Sequence, residues 1–159
     1  MFNLLIFKRG FLVILCFLAV SSFLSAQSTA AEIETLLETD AVTYAQAARF
    51  ILDAANLKTT PHPEEAFNFA DQNNWVPRKA AAGDYARLDG IALLLMRSFD
   101  IKGGLFYSIT KGSHYAYREL VYKGIIQGRH DPSMPVSGER LIFYVNRIYS
   151  VLGEPGGLE

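Results

Sequence analysis

The chain has 159 residues, half of them hydrophobic, with 15 basic and 16 acidic side chains and a net charge of −1 at pH 7. This length suits a single domain with a core of its own, and the charge balance argues against a nucleic-acid-binding protein, which would carry a basic face. With Cys16 as its only cysteine, the chain has no disulfide framework, so its stability must come from packing.

Residues 1–26 have the layout of a cleavable secretory signal peptide. Lys8 and Arg9 precede a purely apolar run over residues 11–20, and small residues follow up to Ala26. The alternative is an uncleaved membrane anchor, but the apolar part is shorter than the roughly 20 residues that a spanning helix needs. We therefore expect an exported protein of the periplasm or cell surface.

Two cleavage sites are possible at the end of this segment, and lipid attachment to Cys16 is a further alternative. Cleavage fits best after Ala26, and residues 28–30 offer a second acceptable site. A lipid on Cys16 would leave apolar residues at the mature N-terminus, so we disfavour a lipoprotein. The expected mature domain is residues 27–159, without cysteine, without a membrane span and with a small net negative charge.

Local signals predict two helices in the first part of this domain. Thr43 and Gln46 form a capping box, which predicts a helix to about residue 57. Apolar residues recur there at steps of four, three and four, and so share one face: Tyr44, Ala48, Ile51 and Ala55. Pro63 and the two glutamates that follow predict a second helix to about residue 73.

Three more helices are predicted in the second part. The strongest apolar periodicity covers residues 88–99, and Gly103-Gly104 is expected to end that helix. A helix over residues 113–122 follows Gly112, and Ser137 is the expected N-cap of a last helix that reaches residue 153. Residues 105–109 are too short to assign, and no segment is a convincing strand. The predicted fold is all-α, a helical bundle.

The chain also repeats internally. A shift of 50 positions superposes residues of matching size and polarity: Ala66 on Ala116, Phe67 on Tyr117, Trp75 on Ile125, Ile91 on Leu141 and Arg97 on Arg147. A shift of 44 positions aligns Thr43 with Arg87. We interpret residues 32–60 as half a repeat, followed by full repeats at 61–104 and 105–153. Each unit is too small to bury its own apolar face, so the copies must pack together.

The second full copy resembles the S-layer homology repeat of bacterial envelope proteins. It contains Gly-Ile-Ile-Gln-Gly at residues 124–128, Asp-Pro at 131–132, and Pro-Val-Ser-Gly-Glu-Arg-Leu at 135–141. The first copy departs from the family's turn with Trp-Val-Pro at 75–77. The resemblance implies about two and a half helix–loop–helix repeats in one bundle, and a partner that is cell-wall polysaccharide or peptidoglycan.

One departure bears on that partner. In the family, a Thr-Arg-Ala-Glu tetrad helps to bind a pyruvylated wall polysaccharide. The corresponding tetrads here begin at Thr43, Arg87 and Ser137, and none of them has arginine in second place. A second hypothesis therefore stays open: a periplasmic structural or adaptor protein that binds another envelope protein and has lost the glycan site.

No constellation of residues indicates catalysis. The three histidines lack the spacing of a metal site, and no nucleophile elbow, phosphate loop or dinucleotide motif is present. Asp89 and Glu139 are related by the repeat and could be paired carboxylates, but each lies in the first turn of a helix, where an acid is stabilised anyway. We expect neither an enzyme nor a cofactor nor a bound metal.

Seven residues are candidates for ligand binding, either in loops that precede equivalent helices or in the tetrads. They are Trp75, Arg78, Arg87, Asp89, Arg129, Asp131 and Ser137. Trp75 could stack on a sugar, although its repeat counterpart Ile125 favours a core position. Arg129 and Asp131 lie in a glycine-flanked loop that could also be a solvated turn. Cations beside hydrogen-bonding groups suit an anionic glycan or an acidic protein surface.

Overall fold

The computed structural model of the chain describes residues 30–128 and 130–153. The chain divides into two compact units, Met1–Leu36 and Leu37–Glu159. In the first unit, residues 30–36 belong to a helix, α1, which covers residues 30–37. The predicted signal peptide and its cleavage site lie outside the described residues, as does Arg129.

The second unit is helical, and the described residues contain no strand. Its helices are, in chain order, α2 (Tyr44–Ala54), α3 (Pro63–Gln72), α4 (Leu88–Ser98), α5 (Leu105–Thr110), α6 (Ser113–Tyr122) and α7 (Gly138–Gly153). The prediction of an all-α fold is confirmed for the described residues, and the contacts are compatible with a helical bundle. The five helices predicted from local signals are present. The sequence did not predict α1 or α5.

The predicted helix starts have the expected caps. Thr43 donates its backbone N–H to Gln46 Oε1 at 2.9 Å, and Gln46 donates its own to Thr43 Oγ1 at 3.3 Å, which completes the capping box. Ser137 Oγ accepts from the backbone N–H of Arg140 at 3.3 Å. These side chains satisfy amides that have no partner within the first turn of a helix.

The prediction that Gly103-Gly104 ends α4 is wrong. The helix ends at Ser98, because Asp100 takes the left-handed conformation at φ 48° and Ile101 donates its N–H back to Met96 O at 2.9 Å. The glycines serve α5 instead. A Cβ at Gly103 would lie 2.5 Å from Tyr107 Cδ1, and Gly104 is the N-cap of α5.

The core lies where α2 packs on α3 and α4 packs on α6, while α2 also contacts both α4 and α7. Helix α4 is the most deeply buried element, and Leu88, Ile91 and Leu95 have no exposed surface. A helix buried on nearly all sides is the centre of a bundle rather than its surface. The prediction that the helices starting near Thr43, Arg87 and Ser137 pack together therefore agrees with the contacts of α2.

Three backbone hydrogen bonds form a closed ring among the residues that precede α2, α4 and α7. Val42 donates to Val136 O at 2.8 Å, Val136 donates to Ala86 O at 3.0 Å, and Ala86 donates to Val42 O at 2.8 Å. All three residues are buried, so each peptide group finds in the ring the partner that water cannot supply. The ring ties the starts of three helices together.

A second set of hydrogen bonds connects the same three helix starts in the opposite cyclic direction. The first residue of each of the three helices donates its N–H to the loop before the next one: Tyr44 to Asp84 O at 3.0 Å, Leu88 to Met134 O at 3.0 Å, and Gly138 to Thr39 O at 2.9 Å. Each helix start is thus held by a loop that belongs to another helix.

Backbone geometry also recurs at the spacing of the sequence repeat. Trp75 donates to Ala70 O at 2.8 Å, and fifty positions later Ile125 donates to Leu120 O at 2.9 Å. The residues before them, Asn74 and Gly124, both have positive φ, at 58° and 70°. Asparagine tolerates this conformation better than most side chains, so the turn persists although its sequence differs.

Candidate functional site

The start of α4 brings together three of the candidate residues. Arg87 is the N-cap of α4, and its Nε lies 3.3 Å from Asp89 Oδ1. Asp89 Oδ2 accepts from Ser113 Oγ at 3.1 Å, which connects α4 to the start of α6. The Asp89 side chain is only 14% exposed, whereas that of Arg87 is 54% exposed. The guanidinium is thus available to solvent, but its charge is already paired.

Asp131 lies in the loop before α7, next to Pro132, whose carbonyl accepts from the Asp89 backbone N–H at 2.9 Å. Its Oδ1 accepts from the backbone N–H of Ser133 at 2.8 Å and from Ser133 Oγ at 2.7 Å. These two hydrogen bonds, with a contribution from the charge of Arg87, hold the pKa of Asp131 below its ordinary value. We call Arg87, Asp89, Ser113 and Asp131 the Arg87 cluster. It contains one cation and two carboxylates, so it is not a ready-made site for an anion.

The remaining candidates lie elsewhere. Trp75 is half-buried just after α3 and packs edge-to-face on Phe69, with ring centroids 5.7 Å apart. Arg78 is exposed on the turn that follows. Ser137 uses its hydroxyl to cap α7. The structure therefore pairs Arg87 with Asp89 and places the loop of Asp131 beside them, whereas Trp75 packs on Phe69 of α3.

The sequence analysis missed a groove of about 690 Å³ between the starts of α2 and α3 and the loop before α4. Its lining is mostly small or polar and consists of Thr43, Ala45, Gln46, His62, Pro63, Glu64, Glu65, Asn68, Ala82 and Gly83. The groove is open to solvent rather than enclosed. The sequence signals for it were Thr43 and Gln46, the first and last residues of a tetrad. The glutamates were interpreted solely as acids of a helix start.

The charges of the groove limit what it can bind. Glu64 and Glu65 are exposed in the first turn of α3, and the residues lining the groove include no lysine or arginine. Glu65 Oε2 accepts from Thr60 Oγ1 at 2.9 Å, which orients that carboxylate. An anionic ligand would be repelled here, because like charges across a small site disfavour binding. The groove suits a neutral ligand rich in hydroxyl groups, which can donate to carboxylate and amide oxygens.

Residues 30–128 and 130–153 contain neither a metal-binding cluster nor a membrane-spanning helix. No group of three or more His, Cys, Asp or Glu side chains is placed to hold a metal ion. No described helix combines the length and apolarity needed to cross a membrane.

Comparison with protein-family models, with curated proteins and with solved structures found no significant match. The S-layer homology resemblance thus depends only on the residues quoted above.

Proposed function

We propose that the protein is an exported, non-catalytic module of the bacterial cell envelope, built from S-layer homology-like repeats, which binds wall glycan. The observation that carries the proposal is the closed ring of hydrogen bonds through Val42, Ala86 and Val136. These residues immediately precede Thr43, Arg87 and Ser137, the three positions that the resemblance treats as equivalent. A cyclic relation among them supports one repeated unit arranged around a common centre.

The groove beside α2 is the part of the surface best suited to the glycan. Thr43 and Gln46 are the first and last residues of a tetrad, and exposed Asn68 faces the same groove with an amide that both donates and accepts. Because Glu64 and Glu65 lie there too, the ligand is an uncharged stretch of sugar rather than the pyruvylated polymer that the family binds.

An adaptor protein without glycan affinity is the second candidate. It is favoured by the fact that the tetrad side chains already have partners: Thr43 pairs with Gln46, Arg87 with Asp89, and Ser137 with the Arg140 amide. Side chains that serve as caps are less available to a ligand. In this case the protein would co-purify with another envelope protein and would not bind wall polymer.

Titration of the ¹⁵N-labelled protein with soluble peptidoglycan fragments separates the two. Glycan binding predicts amide shifts at Gln46 and Asn68, and Asn68→Ala should reduce affinity about tenfold, as expected for loss of a well-placed hydrogen bond. Gln72→Ala, an exposed change at the opposite end of α3, is the matched control and should bind like the parent. Absence of shifts throughout would reject glycan binding by this groove.

A further inference from the structure

Helix α5 presents an apolar face to solvent. Leu105, Phe106 and Ile109 are 72%, 66% and 72% exposed, whereas Tyr107 is buried at 6%. At about 100° per residue, the three exposed side chains fall within one arc and Tyr107 falls on the opposite side. The helix therefore packs on the rest of the protein through Tyr107, and its other apolar side chains are exposed to solvent.

The same apolar surface continues onto α6. Phe106 stacks on Tyr115 with ring centroids 5.8 Å apart and planes 11° apart. Tyr122, two helical turns further along α6, is 87% exposed. We call Leu105, Phe106, Ile109, Tyr115 and Tyr122 the α5 face. Contiguous exposed apolar residues of this kind mark an interaction surface rather than ordinary surface scatter.

Cations surround the α5 face. Residues 101–118 contain Lys102, Lys111 and Arg118 and no acidic residue, in a chain whose overall charge is −1. All three cations are exposed, and the two lysines flank α5 on either side. The nearest acids in sequence are Asp100 and Glu119, and the Glu119 carboxylate lies beside Gly104, at the start of α5. The surroundings of the face thus contain three exposed cations and one carboxylate, an excess of positive charge.

We propose that the α5 face docks onto an anionic lipid surface. Leu105, Phe106 and Ile109 enter the boundary between headgroups and acyl chains, while Lys102 and Lys111 remain at the phosphates. Apolar residues with flanking amines are the pattern of interfacial helices, and long lysine stems let the amine stay at the headgroups. Helix α5 is too short to cross a bilayer, so the contact is peripheral.

A second copy of the chain fits this face less well. A two-fold contact brings the same patch of each protomer together, so the lysines of both copies would lie at one interface. Like charges brought together at an interface are unfavourable, whereas anionic headgroups neutralise them. The proposal is independent of the glycan groove, and either can fail while the other holds.

Vesicle sedimentation tests the proposal. The protein is purified in the form that the host exports, with its N-terminus identified by intact mass so that all variants are compared with the same N-terminus. We expect it to pellet with vesicles of phosphatidylglycerol and phosphatidylcholine, to bind phosphatidylcholine alone weakly, and to be released by high salt.

Two double variants locate the contact. Leu105→Ser with Ile109→Ser, and Lys102→Gln with Lys111→Gln, should each lower partitioning about tenfold or more. Phe143→Ser, at an exposed phenylalanine of α7, should partition like the parent. Circular dichroism is the check that each variant is folded. We expect all of them to fold, because the changed side chains are exposed. Failure of the parent to bind anionic vesicles, or unchanged binding of the Leu105→Ser, Ile109→Ser variant, would overturn the proposal. So would a dimer in sedimentation velocity that this variant dissociates, which would assign the face to a second copy.

Discussion

At Gly90, the Tyr44 side chain of α2 lies against the backbone of α4. A Cβ built there would overlap Tyr44 Oη and lie 2.8 Å from Tyr44 Cε1. Tyr44 is 3% exposed and is held in the core, so its ring has little room to withdraw. Position 90 in the first turn of α4 thus requires glycine, because the Tyr44 side chain of α2 occupies the space that a Cβ would need.

Gly90→Ala is expected to lower the free energy of unfolding by roughly 1–3 kcal/mol, the usual effect of overpacking a core. Gly83→Ala is the control, because no atom lies within 4 Å of a Cβ at Gly83, and it should unfold at the parent urea concentration. Tyr44→Phe in the Gly90→Ala background should recover part of the loss, since it removes the nearest atom. Equal stability of the Gly90→Ala and Gly83→Ala variants would contradict the close contact.

Asp131 gives a prediction about pH. Its pKa lies below its ordinary value of 3.8, first because of the Ser133 backbone N–H and second because of the Ser133 hydroxyl. The native state therefore favours the ionised carboxylate, so this contribution to stability is present above the ordinary pKa and is lost as pH falls through the lowered one. NMR titration of the carboxyl carbon should show a Ser133→Ala variant with an Asp131 pKa only partly restored, because the backbone donor remains. A complete return to the ordinary value would assign the whole effect to the hydroxyl.

At the scale of elements, the helices predicted correctly are those whose signals are local. A capping box begins α2, a proline begins α3, and regular apolar spacing defines α4 and α7; each can be recognised without knowing what the helix packs on. Helix α5 could not be predicted this way, because its six residues are too few to establish a periodic pattern. The predicted end of α4 was wrong because Asp100 adopts the left-handed conformation, which is usually adopted by glycine and is not expected for aspartate from the sequence.

The hydrogen-bonded ring makes a prediction at the same scale. Ala86→Pro removes the N–H that donates to Val42 O, which leaves a buried carbonyl without its partner and should cost roughly 1–3 kcal/mol. Because the ring is closed, amide hydrogen exchange of Val42 and Val136 should accelerate in this variant, while exchange within α6 should follow only the global loss of stability. Unchanged protection at Val42 and Val136 would show that the three helix starts are held independently.

For the molecule as a whole, the sequence could relate the three tetrads but could not locate the groove. The repeat aligned Thr43, Arg87 and Ser137 from their spacing alone, and the ring connects the residues just before them. The groove combines three segments, around residues 43–46, 62–68 and 82–83, whose proximity depends on how α3 packs against α2. The pairing of Arg87 with Asp89 likewise needed the fold. The glutamates of the groove change the proposed ligand from anionic to neutral.

Export is a separate prediction at this scale. The charge and hydrophobic pattern of residues 1–26 predicts a mature N-terminus at Gln27 or within a few residues of it. Intact-mass measurement of the protein recovered from the envelope fraction reads that terminus directly. A species that retains Met1, or one that carries lipid on Cys16, would be incompatible with a cleavable signal peptide.

Sedimentation with isolated wall sacculi tests the central claim most directly. The purified protein is mixed with sacculi stripped of protein and lipid, so that neither an adaptor partner nor a membrane can retain it. Glycan binding predicts that the parent and Gln72→Ala proteins pellet with the sacculi, that Asn68→Ala pellets much less, and that soluble peptidoglycan fragments release the parent. If the folded parent stays in the supernatant across physiological salt, this protein does not bind wall glycan.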